Sequence, residues 1–129
     1  MEVFMWWFKR KESAEPNPRF TLHQKLVRRD VIPPLEARGI KVVSSNITDF
    51  PSRDHFTRQK VVEESKEVLD AKTRDELVEE IADLTAWRDL LMGVHTISSE
   101  ELASAMADKD AKKGPPSFVY MESTEEPEE

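Results

Sequence analysis

The chain has 129 residues, which predicts one compact domain, and its composition of 38% hydrophobic and 35% charged residues fits a charge-rich, soluble, helical protein. It has no Cys, which excludes disulfides, Cys-ligated zinc, iron–sulfur clusters and thiol nucleophiles; its three glycines, Gly39, Gly93 and Gly114, open neither a Walker loop nor a dinucleotide fingerprint. The net charge of −7 is unevenly spread: residues 1–41 hold nine Lys and Arg against five Asp and Glu, residues 54–101 hold six against thirteen, and residues 122–129 hold five acids and no base. That balance speaks against a nucleic-acid polymer as partner and favours a local site that pairs cations with clustered carboxylates.

In chain order, residues 1–18 read as an N-terminal extension and linker. Met1–Phe8 is apolar and aromatic and precedes Lys9, Arg10 and Lys11. It is too short for a secretory signal, and its charges follow the apolar run instead of leading it, so the expected location is cytoplasmic. Trp6, Trp7 and Phe8 suit packing or a loose extension better than membrane contact through residues 1–11. Glu15-Pro16-Asn17-Pro18 biases the backbone away from helix. The domain proper is expected over residues 19–121.

Pro33 and Pro34 fit the first turn of a short helix through Arg38, ended by Gly39, with an extended segment from Ile40 to Val43 after it. Ser52 offers a cap, and the Thr73/Glu76 capping-box pattern divides the long stretch free of Gly and Pro into helices over 53–72 and 74–92, joined tightly and therefore antiparallel. Ser98 with Glu101 opens a third helix to Lys113, stopped by Gly114-Pro115-Pro116. Alternation over Phe118–Met121 suggests a strand pairing with residues 40–44 as a small β-hairpin. The acidic tail over 122–129 has nothing to bury and is expected to be disordered.

Two acidic pairs point to chemistry. At 100° per residue, Glu80 and Asp83 share the apolar side of their helix with Leu77, Leu84, Trp87 and Leu91, and Glu64 and Glu67 share theirs with Val61, Val68 and Ala71. A single acidic pair is usually a solvated face held by ion pairs one turn apart. Matched pairs on the facing sides of consecutive helices instead bring four carboxylates into a partly buried seam, where they repel and are poorly solvated. A positive partner is required. Oxygen-only ligation suits Mg²⁺, with Mn²⁺ as the alternative, and no Asp or Glu stands three residues before His23, His55 or His95, as carboxylate-bridged iron in a bundle would require. The histidines show no ligand spacing, and Trp87 suits core packing better than stacking on a base.

These residues resemble those of the all-alpha nucleoside triphosphate pyrophosphohydrolases, the superfamily of MazG, dimeric dUTPases and phosphoribosyl-ATP pyrophosphohydrolase. The hallmark Glu-Glu-x-x-Glu, spacer, Glu-x-x-Asp is matched by Glu63-Glu64-Ser65-Lys66-Glu67 and, twelve residues on, Glu80-Ile81-Ala82-Asp83. Lys25-Leu26-Val27-Arg28-Arg29-Asp30-Val31-Ile32-Pro33 resembles the opening of the phosphoribosyl-ATP pyrophosphohydrolase-like branch, with Arg29 additional. Lys109 through Lys112-Lys113-Gly114 to Phe118 resembles its ending, with Pro115-Pro116 in place of a second glycine.

The resemblance implies an all-α, MazG-like helical bundle assembled as a homodimer or higher homo-oligomer. It also implies Mg²⁺ held by Glu64, Glu67, Glu80 and Asp83, with Glu63, Glu64 and Glu67 as the catalytic acids and Glu63 an auxiliary ligand or base. The expected activity is hydrolysis of a nucleoside triphosphate to the monophosphate and pyrophosphate, with Lys25, Arg28, Lys109, Lys112 and Lys113 binding the phosphates. The alternative is a non-catalytic helical dimer that binds nucleotide or a protein partner, its acidic seam structural.

Overall fold

The structure, a computed structural model, describes residues 19–128. The expectations for residues 1–18, including membrane contact through residues 1–11, lie outside the described residues. Among those described there are four helices, α1 (Ile32–Ala37), α2 (Phe50–Asp70), α3 (Arg74–Val94) and α4 (Ser99–Lys113), and no strand. None of these helices is long and apolar enough to cross a membrane.

Local chemistry sets the helix ends. Pro33 and Pro34 stand in the first turn of α1, and Gly39, at φ +84°, closes it as the Gly39 N–H donates to the Glu36 carbonyl and the Ile40 N–H to the Leu35 carbonyl. Helix α2 starts three residues earlier than expected. Asp49, not Ser52, is its cap, accepting the Ser52 N–H at 2.9 Å, because Pro51 fits the first turn, where a missing N–H costs nothing. Thr73 caps α3 by accepting the Glu76 N–H at 3.1 Å, while the Glu76 carboxylate accepts the Lys72 N–H at 2.8 Å. Gly93 does not end that helix. The chain turns at Thr96, at φ +56°, where the Ile97 N–H donates to the Met92 carbonyl at 2.8 Å and the Thr96 N–H to the Gly93 carbonyl. Ser98 caps α4, and Gly114, at φ +79°, follows its last turn.

Helices α2 and α3, joined through residues 71–73, pack antiparallel, with the start of α2 beside the end of α3. At that open end Asp54 accepts from Arg58 at 2.8 Å and meets His95 Nε2 at 2.5 Å, and the His95 ring stands edge-on to Phe50 with centroids 5.3 Å apart. No other pair of helices is in contact among the described residues. The interior is correspondingly small and polar: Trp87 is the one buried apolar side chain among the described residues, accompanied by Thr57, Lys60 and Glu64. Leu77, Val78, Ile81 and Leu90 of α3 and Val62 and Leu69 of α2 remain exposed.

The hairpin expected between 40–44 and 118–121 is not formed. Neither segment is a strand, and Phe118, Val119, Tyr120 and Met121 are all exposed. Two short strands are marginal without a surface to cover, and α4, which should carry the second back to the first, packs against no helix among the described residues. Residues 122–128 are exposed and without regular structure.

Candidate acidic site

The pair of long helices brings its acids together at mid-height. From α2 comes Glu64, buried one turn beyond Lys60, and from α3 come Glu80 and Asp83, both half-buried; one carboxylate oxygen from each of these three lies within 4.8 Å of the others. Such a group could hold a cation, and its convergence from two helices follows from the acidic pairs on facing sides. Glu67, expected as a fourth ligand, lies outside this trio. One turn nearer the loop it is exposed, although its charge still acts on Glu80.

The segment before α1 lies against this group, although it is far away in sequence. Arg28 donates to Asp83 at 2.6 Å, and Lys25 donates to Glu63 at 3.3 Å. Lys60 Nζ donates to Glu63 at 3.0 Å, stands 3.5 Å from Glu64 and lies 5.1 Å above the Trp87 ring. Its side chain is only 8% exposed. Burial pushes the Glu63 carboxyl up, but the bonds from Lys60 and Lys25, with their charges, outweigh burial and hold it below the ordinary range. Glu80 behaves oppositely. Burial first, then the charges of Glu67, Asp83, Glu64 and Glu79, raise its pKa, and among the described residues no base pairs with it.

Lys60 is the functional candidate that sequence reasoning missed. Its signal was present: four residues before Glu64, it sits about 40° from it on the same helix face. Lys109, Lys112 and Lys113 are not brought to the acids, since α4 contacts no other helix among the described residues. Arg29, the additional residue of the opening, pairs with its neighbour Asp30 at 2.9 Å. Arg88 pairs with Asp89 at 2.7 Å. Trp87 packs in the interior as expected, and His95 ties the open end of the helix pair.

Between the N-terminal segment and the helix pair lies a cavity of about 180 Å³ lined by Val27, Arg28, Val31, Lys60, Glu64, Asp83 and Trp87. A second, more open hollow of about 410 Å³, lined by Arg28, Arg29, Asp30 and Val31, adjoins it through Arg28 and Val31. Comparison with protein-family models, curated proteins and solved structures finds no match to the chain.

Proposed function

We propose that the chain is a Mg²⁺-dependent nucleoside triphosphate pyrophosphohydrolase that releases pyrophosphate and the monophosphate, working in the cytoplasm as a homo-oligomer. The observation that carries this reading is the convergence of Glu64, Glu80 and Asp83 from two helices, with Arg28 beside them. Lys25, Arg28 and Lys60 pair with Glu63, Glu64 and Asp83, while Glu80 has no base beside it among the described residues, so the group keeps a negative charge that a cation would balance.

When bound, such an ion supplies Lewis-acid polarisation of phosphate oxygens and of the attacking water. The chain's own groups do the rest. Lys25 and Arg28, now neutralising Glu63 and Asp83, are within reach of a triphosphate held at the acids and would transfer their charge to it. Glu67 lies outside the trio and is not tied to the bases that hold Glu63, which leaves its carboxylate open to a water molecule. Glu63 is bound to two ammonium groups that lower its basicity and is better suited to orienting them. The cavity beside the acids and the hollow that adjoins it at Arg28 and Val31 would take the phosphates.

Purified protein with Mg²⁺ and a panel of nucleoside triphosphates should release pyrophosphate. Glu64→Gln should reduce that release by at least about a hundredfold while helical circular dichroism is retained. Absence of both pyrophosphate and orthophosphate across the panel would refute the activity. One observation favours a second reading, a non-catalytic binder with a structural seam: Lys25, Arg28 and Lys60 already neutralise part of the acid charge without any ion. Calorimetry separates the two, since a binder takes up nucleotide and yields no product.

A further inference from the structure

We infer that Lys60 is a built-in counter-ion, doing for the metal-free acidic seam part of what a divalent ion does for the loaded one. This rests on the proposed metal reading and deepens it.

Lys60 is the most deeply buried base in contact with the acids among the described residues, at 8% side-chain exposure against 40% for Lys25 and 54% for Arg28. Its ammonium lies 3.0 Å from Glu63 and 3.5 Å from Glu64, and 5.1 Å from the centre of the Trp87 ring. A buried ammonium persists only when paired, and here its partners include Glu64, which also belongs to the converging trio. The same carboxylate therefore serves the lysine in the metal-free seam and the ion in the loaded one. An ion arriving at Glu64, Glu80 and Asp83 meets a positive charge about one turn away and competes with it for Glu64. Lys60 touches no reacting atom; it offsets the charge of Glu63 and Glu64 in the metal-free seam, and an ion must displace that interaction to bind.

The test compares wild type with Lys60→Met, which keeps an unbranched side chain of similar length and removes the charge, and with Lys60→Arg, which keeps the charge. Mn²⁺ binding is measured by calorimetry and thermal midpoints are read with and without Mn²⁺. Without metal, Lys60→Met should melt roughly 5 °C or more below wild type. It should also bind Mn²⁺ about tenfold more tightly, because the repulsion is gone, and gain more from Mn²⁺ in thermal midpoint than wild type does. Lys60→Arg should stay within about threefold of wild-type affinity.

Equal or weaker Mn²⁺ binding by Lys60→Met overturns the inference and leaves the metal reading standing. If Lys60→Met is unfolded without metal, recovery of its helical signal in Mn²⁺ supports the inference, and failure to recover overturns it. Wild type that takes up no Mn²⁺ defeats the metal reading itself, and the inference with it.

Discussion

Replacing the Glu80 carboxylate by its neutral amide removes a charge that burial disfavours and that Glu67, Asp83, Glu64 and Glu79 repel. A carboxyl whose folded pKa is raised opposes folding once it ionises: its contribution is most favourable below the unfolded value, about 4.3, and worsens as pH rises through the folded value. Glu80→Gln should therefore raise the thermal midpoint of the metal-free chain at pH 7. That advantage should fade below about pH 4, where wild-type Glu80 is itself protonated. The same substitution should weaken Mn²⁺ binding by more than about tenfold, a loss that even residues behind metal ligands can produce. A midpoint equal to or below wild type at pH 7 would show that Glu80 is not strained by its neighbours. Helical periodicity alone marked Glu64, Glu80 and Asp83, since angle on the helix decides which acids face inward. It could not separate Glu67 from them, because exposure there depends on position along the helix pair and not on angle.

At the scale of elements, the helix pair is tied at its loop by the Thr73 and Glu76 caps and at its open end by Asp54, Arg58 and His95. The bond from Arg58, then that from His95, holds the Asp54 carboxyl below its ordinary range. A depressed carboxyl contributes stability that is present above its unfolded pKa, about 3.9, and lost as pH falls through the folded value. Asp54→Asn should thus lower the thermal midpoint at neutral pH, and the gap to wild type should close in acid below the folded pKa. A gap that stays constant from pH 7 to pH 2 would remove Asp54 from the account. Helix positions were legible because caps and prolines act locally. The start of α2 was misplaced because two cap residues, Asp49 and Ser52, compete and Pro51 decides between them.

For the whole molecule, one buried apolar side chain among the described residues is a meagre core against a backbone ordering cost of about 1–2 kcal/mol per residue. Leu77, Val78 and Ile81 stay exposed on α3, and α4 is a fifteen-residue helix with no helical neighbour among the described residues, near the length below which isolated helices are marginal in water. Sedimentation should accordingly find a dimer or larger species. Ile81→Glu should shift it toward monomer and cost helical signal, because a charge cannot be buried cheaply in an apolar contact. A wild-type monomer that unfolds in one sharp transition would refute the assembly.

By itself the sequence determined the helices, most of their caps and the inward side that Glu64, Glu80 and Asp83 share, because hydrogen-bond capping and a 3.6-residue period are properties of neighbouring residues. Only the tertiary structure decided that Arg28 reaches Asp83 and Lys25 reaches Glu63, that Lys60 is enclosed with Glu64 and Trp87, and that Lys109, Lys112 and Lys113 remain apart from the acids. Those facts depend on how a long irregular segment crosses the helix pair and on whether α4 finds a surface. Both are settled by contacts between residues far apart along the chain, which no local pattern records.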